Sequence, residues 1–262
     1  MPYSTIIAER DPDYAGLYVI TLNRPALLNA MNTQMFTELR HVFRELRDEP
    51  DVKVVVLAGG EKAFSVGGDL KERNGMPNDT WRRQHELIEE AFLAIRDFPA
   101  VVLSAVEGYV HGGGFELAMM TDFIVASQTA HFALPEMRLG IMPGGGGVQN
   151  LSRAIGVRRA KRYLLTGDPI LAEQALQWGL VTEVTAPGQA RAKAVEIGRR
   201  IASGAPLATR AVKMSASRGV EVDFHTGYAL DIAAYNTLAA SEDRLEGVAA
   251  FNERRAPRWS NR

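Results

Sequence analysis

Cysteine is absent from the 262-residue chain, which excludes disulfides, thiolate catalysis and cysteine-ligated zinc. A surplus of charge is absent too: 30 basic against 31 acidic residues leave a formal net charge of −1, so no global field favours nucleic acid or a membrane surface. No uninterrupted apolar run approaches the roughly 18–20 residues of a membrane span. The opening MPYSTIIAERDPDY has no basic region followed by an apolar core, so it is not expected to be a signal peptide. There is no G-x-x-x-x-G-K-S/T phosphate loop, and no G-x-G-x-x-G follows a strand pattern. The five histidines, at positions 41, 85, 111, 131 and 225, show no H-E-x-x-H spacing, so no metal site is expected. His85 lies on an apolar helical stripe and is expected to pack rather than react. What remains is a chain with 46% hydrophobic and 23% charged residues, the composition of an ordinary soluble, cytoplasmic protein.

What is present alternates in character. GLYVITL (16–22), VKVVVLA (52–58), VVLSAVEG (101–108), FIVAS (123–127) and LVTEV (180–184) read as strands, rich in β-branched residues and bounded by turn formers. Between the first two, Met35, Phe36, Leu39, Val42, Phe43 and Leu46 recur at helical spacing, after Asn32 and Thr33 as caps. Trp81, His85, Ile88, Phe92 and Ile95 draw a second stripe, closed by Pro99. After about residue 186 strand signals stop, and helical segments follow near 188–203, 206–219 and 223–239. The last runs from Ser241 as cap, through Glu242 and Asp243 in its first turn, to Arg254 and Arg255. The pattern predicts an α/β core over residues 1–186 and a helical C-terminal region over 187–262.

Three glycine-rich stretches follow strands, where α/β proteins place functional loops. HGGGFEL (111–117) sets consecutive glycines before an apolar run that contains Glu116. Glycine lets another group approach the backbone, and NH groups at a helix start form a partially positive concavity able to hold an oxyanion. A tight strand-to-helix turn explains this stretch equally well when it is taken alone. EKAFSVGGDLKER (61–73) and LPEMRLGIMPGGGGVQN (134–150) change that balance, the latter carrying a second carboxylate, Glu136. HGGG also occurs in α/β-hydrolases, with AFSVG (63–67) as a loose nucleophile elbow. There, however, the HGGG loop precedes the serine, whereas here Ser65 comes first.

Taken together, the segments resemble the enoyl-CoA hydratase/isomerase (crotonase) family. NRPALLNAMN (23–32), KAFSVGGDLKE (62–72), GGGFELAMMTD (112–122) and LPEMRLGIMPGGGGVQNLSRAIG (134–156) match its pattern in order and spacing. LLTGDPILAEQALQWGLVTEV (164–184) and AFNERR (250–255) continue the match, so the resemblance spans nearly the whole chain. It implies a repeated ββα superhelical core with a helical C-terminal region that covers the active site and serves oligomerisation. It also implies a homotrimer or dimer of trimers, and acyl-CoA thioester substrates. No cofactor is implied, because coenzyme A is part of the substrate, and no nucleic-acid or membrane partner is implied either.

By the same resemblance Gly68 and Gly113 supply the two oxyanion-hole NH groups, and Glu116 and Glu136 match both glutamates of the hydratase branch. Adding water to a 2-enoyl-CoA thioester places negative charge on the thioester oxygen. Two carboxylates sharing one water would then act as base on the water and proton donor to the α-carbon, giving 3-hydroxyacyl-CoA. The same fold admits an enoyl-CoA isomerase or a hydratase-lyase acting on aromatic acyl-CoA, and a non-catalytic scaffold. Lys71 and Arg254 stand where the family places basic groups near the CoA phosphates, although solvated basic residues equally fit those positions. The lysine that often follows NRP is replaced by Ala26. RNGMPNDT (73–80) is expected to form a mobile loop beside an acyl pocket lined by Met76, Trp81, Phe115 and Met142, for each of which core packing is the competing role.

Overall fold

The computed structural model describes residues 3–262. The chain runs β1 (Ile6–Arg10), β2 (Leu17–Leu22), α1 (Thr33–Arg47), β3 (Val54–Ala58), β4 (Ala63–Ser65), α2 (Leu70–Arg73) and α3 (Asn78–Arg96). It continues through β5 (Val101–Val106), β6 (Tyr109–His111), α4 (Gly113–Met119), β7 (Phe123–Ser127), β8 (His131–Ala133), α5 (Gly147–Ile155) and α6 (Val157–Thr166). Then come β9 (Ile170–Leu171), α7 (Ala172–Gln177), β10 (Glu183–Thr185), α8 (Ala190–Ala202), α9 (Pro206–Gly219), α10 (Phe224–Ala239) and α11 (Glu242–Glu253).

From β3 to β8 successive strands alternate between two sheets. The larger has the order β1-β2-β3-β5-β7-β10, parallel except for the antiparallel edge pair β1–β2. The smaller has the order β4-β6-β8-β9, parallel except for β9. Each of the pairs β3/β4, β5/β6 and β7/β8 thus sends one strand to each sheet before the chain enters helix, which is the repeated ββα superhelix of the crotonase fold.

The sequence of β3, VVVLA, is apolar throughout because both faces of the large sheet are covered. Val55 and Leu57 face the main core with α1 and α3, while Val54, Val56 and Ala58 face the opposite side. There α8 lies on the sheet through Ala190, Ala194 and Ala202. A Cβ on Gly198 would stand 2.7 Å from Leu17 Cδ1, so a small-residue stripe lets this helix sit close. The helical C-terminal region therefore begins by completing the core. Farther on, α9 and α10 pack together, α9 tied back by Lys213 Nζ to Asp122 Oδ2 at 2.8 Å. Val212, Val220, Phe224, Tyr235 and Phe251 of this region are exposed. No helix of the described residues is long and apolar enough to cross a membrane.

Several expectations shift. LVTEV is strand only from Glu183, because Gly179 turns the chain at φ +74 and Leu180 and Val181 are buried before the strand. Residues 73–80 are not one loop: α2 ends at Arg73 and α3 begins at Asn78, leaving only 74–77 between them. The run 101–108 breaks after Val106, and Gly108, at φ +57, redirects it into β6. There a Cβ would come within 2.1 Å of the Lys62 carbonyl oxygen.

Candidate active site

The first wall of the site is the GGD loop after β4. Asp69 caps α2 by accepting from Lys71 N at 3.1 Å and Glu72 N at 3.3 Å, and Arg24 Nη1 holds its other oxygen at 2.9 Å. Asn29, in the left-handed region at φ 54, donates to the carbonyls of Ala63 and Phe64. The NRPALLNAMN segment thus works as the scaffold of the glycine loop. Ser65 is fully buried, its hydroxyl donating to the Asn29 carbonyl at 2.8 Å and accepting from Gly67 N at 3.1 Å, so it offers no hydrolase nucleophile.

The second wall is the turn from β6 into α4. Gly112 adopts φ +53, and a Cβ on Gly114 would lie 2.5 Å from the Ser65 carbonyl oxygen, so the two walls touch only because glycine stands there. Gly113 is the first residue of α4, where the helix offers its NH no partner. Neither its amide nor that of Gly68 donates a hydrogen bond among the described residues. A Cβ on Gly113 would stand 3.8 Å from the Gly68 nitrogen, so two free donors from separate segments share one small space. Preorganised donors of this kind stabilise charge that develops on an oxygen between them.

The third wall brings the carboxylates. Glu116, in the first turn of α4 and 5% exposed, accepts from Gly145 N at 2.7 Å and Gly147 N at 2.9 Å, both through Oε1. Gly147 opens α5, so the dipole of that helix also favours the charge. A Cβ on Gly147 would meet Glu116 Oε1 at 2.9 Å, and one on Gly145 would strike the Phe92 ring at 2.6 Å. Burial raises the Glu116 carboxyl above its ordinary value, against the pull of these two amides and of Arg73. Glu136 stands on a 3-10 turn, Glu136–Leu139, and is 8% exposed. Its Oε2 has no hydrogen-bond partner among the described residues. Burial, with the Glu116 charge as a smaller cause, pushes Glu136 up to about 7.

Gly68, Gly113, Glu116 and Glu136 line one cavity of about 710 Å³, with Trp81, Met142, Phe92 and Ile88 among its other walls. This size suits a small-molecule ligand. Phe115 is not part of the pocket: it points into the core, fully buried, its ring 5.2 Å from that of Phe132. Glu116 faces the cavity, so its neighbour on the helix faces away. Met76 lies outside the lining as well. His85, expected to be packed, lines the cavity and pairs with Glu89 at 3.2 Å. Lys71 is exposed on α2, and Arg254 is exposed at the left-handed end of α11, with φ 55.

Two elements of the site escaped the sequence reading. One is the pair of amides at Gly145 and Gly147, signalled by four consecutive glycines that read only as a loop. The other is Arg73, read only as the first residue of an expected mobile segment. Among the described residues no group of three histidine, aspartate or glutamate side chains could hold a metal ion.

The sequence pattern of enoyl-CoA hydratase/isomerase matches residues 13–262. Among relatives, the short-chain-enoyl-CoA hydratase of Clostridium acetobutylicum is 36% identical over 97% of both chains. The crotonyl-CoA hydratase of Syntrophomonas wolfei is 35% identical, also over 97% of both. Among solved structures, an enoyl-CoA hydratase from Bacillus anthracis superposes with a TM-score of 0.94 at 38% identity, covering 99% of this chain and 100% of that one. Two sheets threaded by ββα units, two free amides facing two buried carboxylates, and a match along almost the entire length have one common meaning: the chain belongs to the enoyl-CoA hydratase/isomerase family.

Proposed function

We propose that this protein is an enoyl-CoA hydratase that adds water reversibly across a 2-enoyl-CoA thioester to give 3-hydroxyacyl-CoA. The observation that carries the reading is the pairing of two buried carboxylates of unlike environment with two unpartnered amides on one cavity. The thioester oxygen sits between Gly68 NH and Gly113 NH, which take up the negative charge of the enolate-like transition state. Glu116, its charge favoured by two amides and a helix start, takes the proton from water as the oxygen attacks the β-carbon. Glu136, whose carboxyl burial raises to about 7 so that the protonated form is well populated near neutrality, gives its proton to the α-carbon. Reversal exchanges the two roles. The chemistry uses protein groups and the CoA carried by the substrate, and no further cofactor.

Moving a double bond takes one base shuttling a proton, so a second buried carboxylate favours hydration over the isomerase alternative. The direct test is a panel of 2-enoyl-CoA thioesters, from crotonyl to long-chain and aromatic, assayed for 3-hydroxyacyl-CoA. Hydration of at least one aliphatic member is expected, whereas double-bond migration without hydration would replace this reading by isomerase chemistry.

Assembly as a homotrimer or dimer of trimers accords with the exposed apolar side chains of α9 to α11. Sedimentation at three or six copies is expected, and a monodisperse monomer would contradict it. Lys71 and Arg254 as contacts to the CoA phosphates belong to the same proposal. Both are exposed, as a phosphate contact requires.

A further inference from the structure

Arg73 is out of place in a pocket for a hydrocarbon tail. Its side chain lines the active-site cavity, with the guanidinium lying over Gly68: a Cβ added there would stand 3.1 Å from both Cζ and Nη1. The group is also near enough to Glu116 to act on its charge. Its position is fixed from behind. Nε donates to Gln84 Oε1 at 2.7 Å, and the plane lies over the Trp81 ring with Cζ 4.6 Å from the centroid. Gln84 is itself 4% exposed and locked, donating to Thr33 Oγ1 at 2.8 Å and Glu72 Oε2 at 2.9 Å.

The other two nitrogens of the guanidinium, Nη1 and Nη2, make no hydrogen bond among the described residues. The remaining basic groups of the cavity are engaged: His85 with Glu89 at 3.2 Å and Arg82 with Asp79 at 3.8 Å. No carboxylate lies within 4 Å of the Arg73 guanidinium among the described residues. A half-buried cation with no carboxylate in contact and two unpaired nitrogens is costly, and an aliphatic side chain would complete the same wall without that cost. A fork with two free donors, clamped at its third nitrogen, is the geometry that receives a planar carboxylate.

We infer that Arg73 makes this cavity selective for 2-enoyl-CoA thioesters whose acyl tail ends in a carboxylate. The inference rests on the hydratase reading and names its substrate class. The tail carboxylate pairs with Nη1 and Nη2, and an uncharged tail of the same shape leaves them desolvated and unpaired.

The test compares three thioesters. Glutaconyl-CoA carries a carboxylate on the carbon after the double bond, crotonyl-CoA lacks it, and 5-methylhex-2-enoyl-CoA replaces it by an isopropyl group of the same shape. The wild-type enzyme should favour glutaconyl-CoA in kcat/KM over 5-methylhex-2-enoyl-CoA by about 100-fold. Arg73→Met should abolish most of that ratio, chiefly through KM for glutaconyl-CoA, and Arg73→Lys should retain part of it. A wild-type enzyme that prefers the isopropyl tail overturns the inference. So does an Arg73→Met enzyme in which all three substrates slow by one factor, since Arg73 would then serve the common thioester end. If the wild type hydrates none of the three or any other enoyl-CoA, it is the hydratase reading that fails, and this inference falls with it.

Discussion

Glu116 and Glu136 are the same residue type at almost the same depth, 5% and 8% exposed, on the wall of one cavity. What separates them is the backbone around each. Glu116 is gripped by two glycine amides at the mouth of α5, while Glu136 has an oxygen with no partner among the described residues. Hydrogen bonds to the charged form favour it, and burial without them favours the neutral acid. On the proposed mechanism the placement of glycine is what makes a base of one glutamate and an acid of the other. The Glu116 charge acts on Glu136, so the proposed division of roles rests on the difference between the two and not on either one alone.

Removing either member breaks the comparison most severely. Glu116→Gln and Glu136→Gln keep shape while deleting the proton chemistry, so each should lower kcat for hydration by about 10²–10⁴-fold. The double variant should be scarcely slower than the poorer single one if, as proposed, the pair acts as a unit on one water. Steady-state hydration of one enoyl-CoA by the three variants decides this. A Glu136→Gln enzyme that hydrates at the wild-type rate would leave a single-carboxylate chemistry.

A smaller effect sharpens the comparison through stability. The Glu136 carboxyl, raised from 4.5 to about 7, keeps its proton in the native state where the unfolded chain has lost it. The native state binds more protons in that window, so stability falls as pH rises from 4.5 to about 7. Glu136→Gln should therefore stabilise the protein by up to about 2 kcal/mol at about pH 8, allowing for solvent at the cavity mouth, and by little at about pH 4. Denaturant unfolding at the two pH values measures it. An equal change at both would mean that the Glu136 carboxyl is ordinary.

Much of this was legible in the residues. The apolar runs of β2, β3, β5 and β7, the stripe of α1 and the capped α11 follow from periodicity. The resemblance named both glutamates and both glycines, and the fold brings all four to one cavity. The three-residue strands β4, β6 and β8 were not legible, because alternation needs more length to show. The same holds for orientation on a short helix: Phe115 and Glu116 are adjacent, and only packing against Phe132 reveals which one faces the cavity. Arg73 sits in a polar stretch that reads as loop. Its meaning comes from Gln84 and Trp81, which arrive from the next helix.

The central claim is that just below its midpoint of about 7 Glu136, rather than Glu116, is the carboxyl that carries the proton. Difference infrared spectroscopy of the free enzyme at about pH 6, one unit below the Glu136 midpoint, reads this directly through the carbonyl band of a protonated carboxyl. The band should be present in the wild type, persist in Glu116→Gln and vanish in Glu136→Gln. A band that vanishes in Glu116→Gln and persists in Glu136→Gln would reverse the assignment of acid and base.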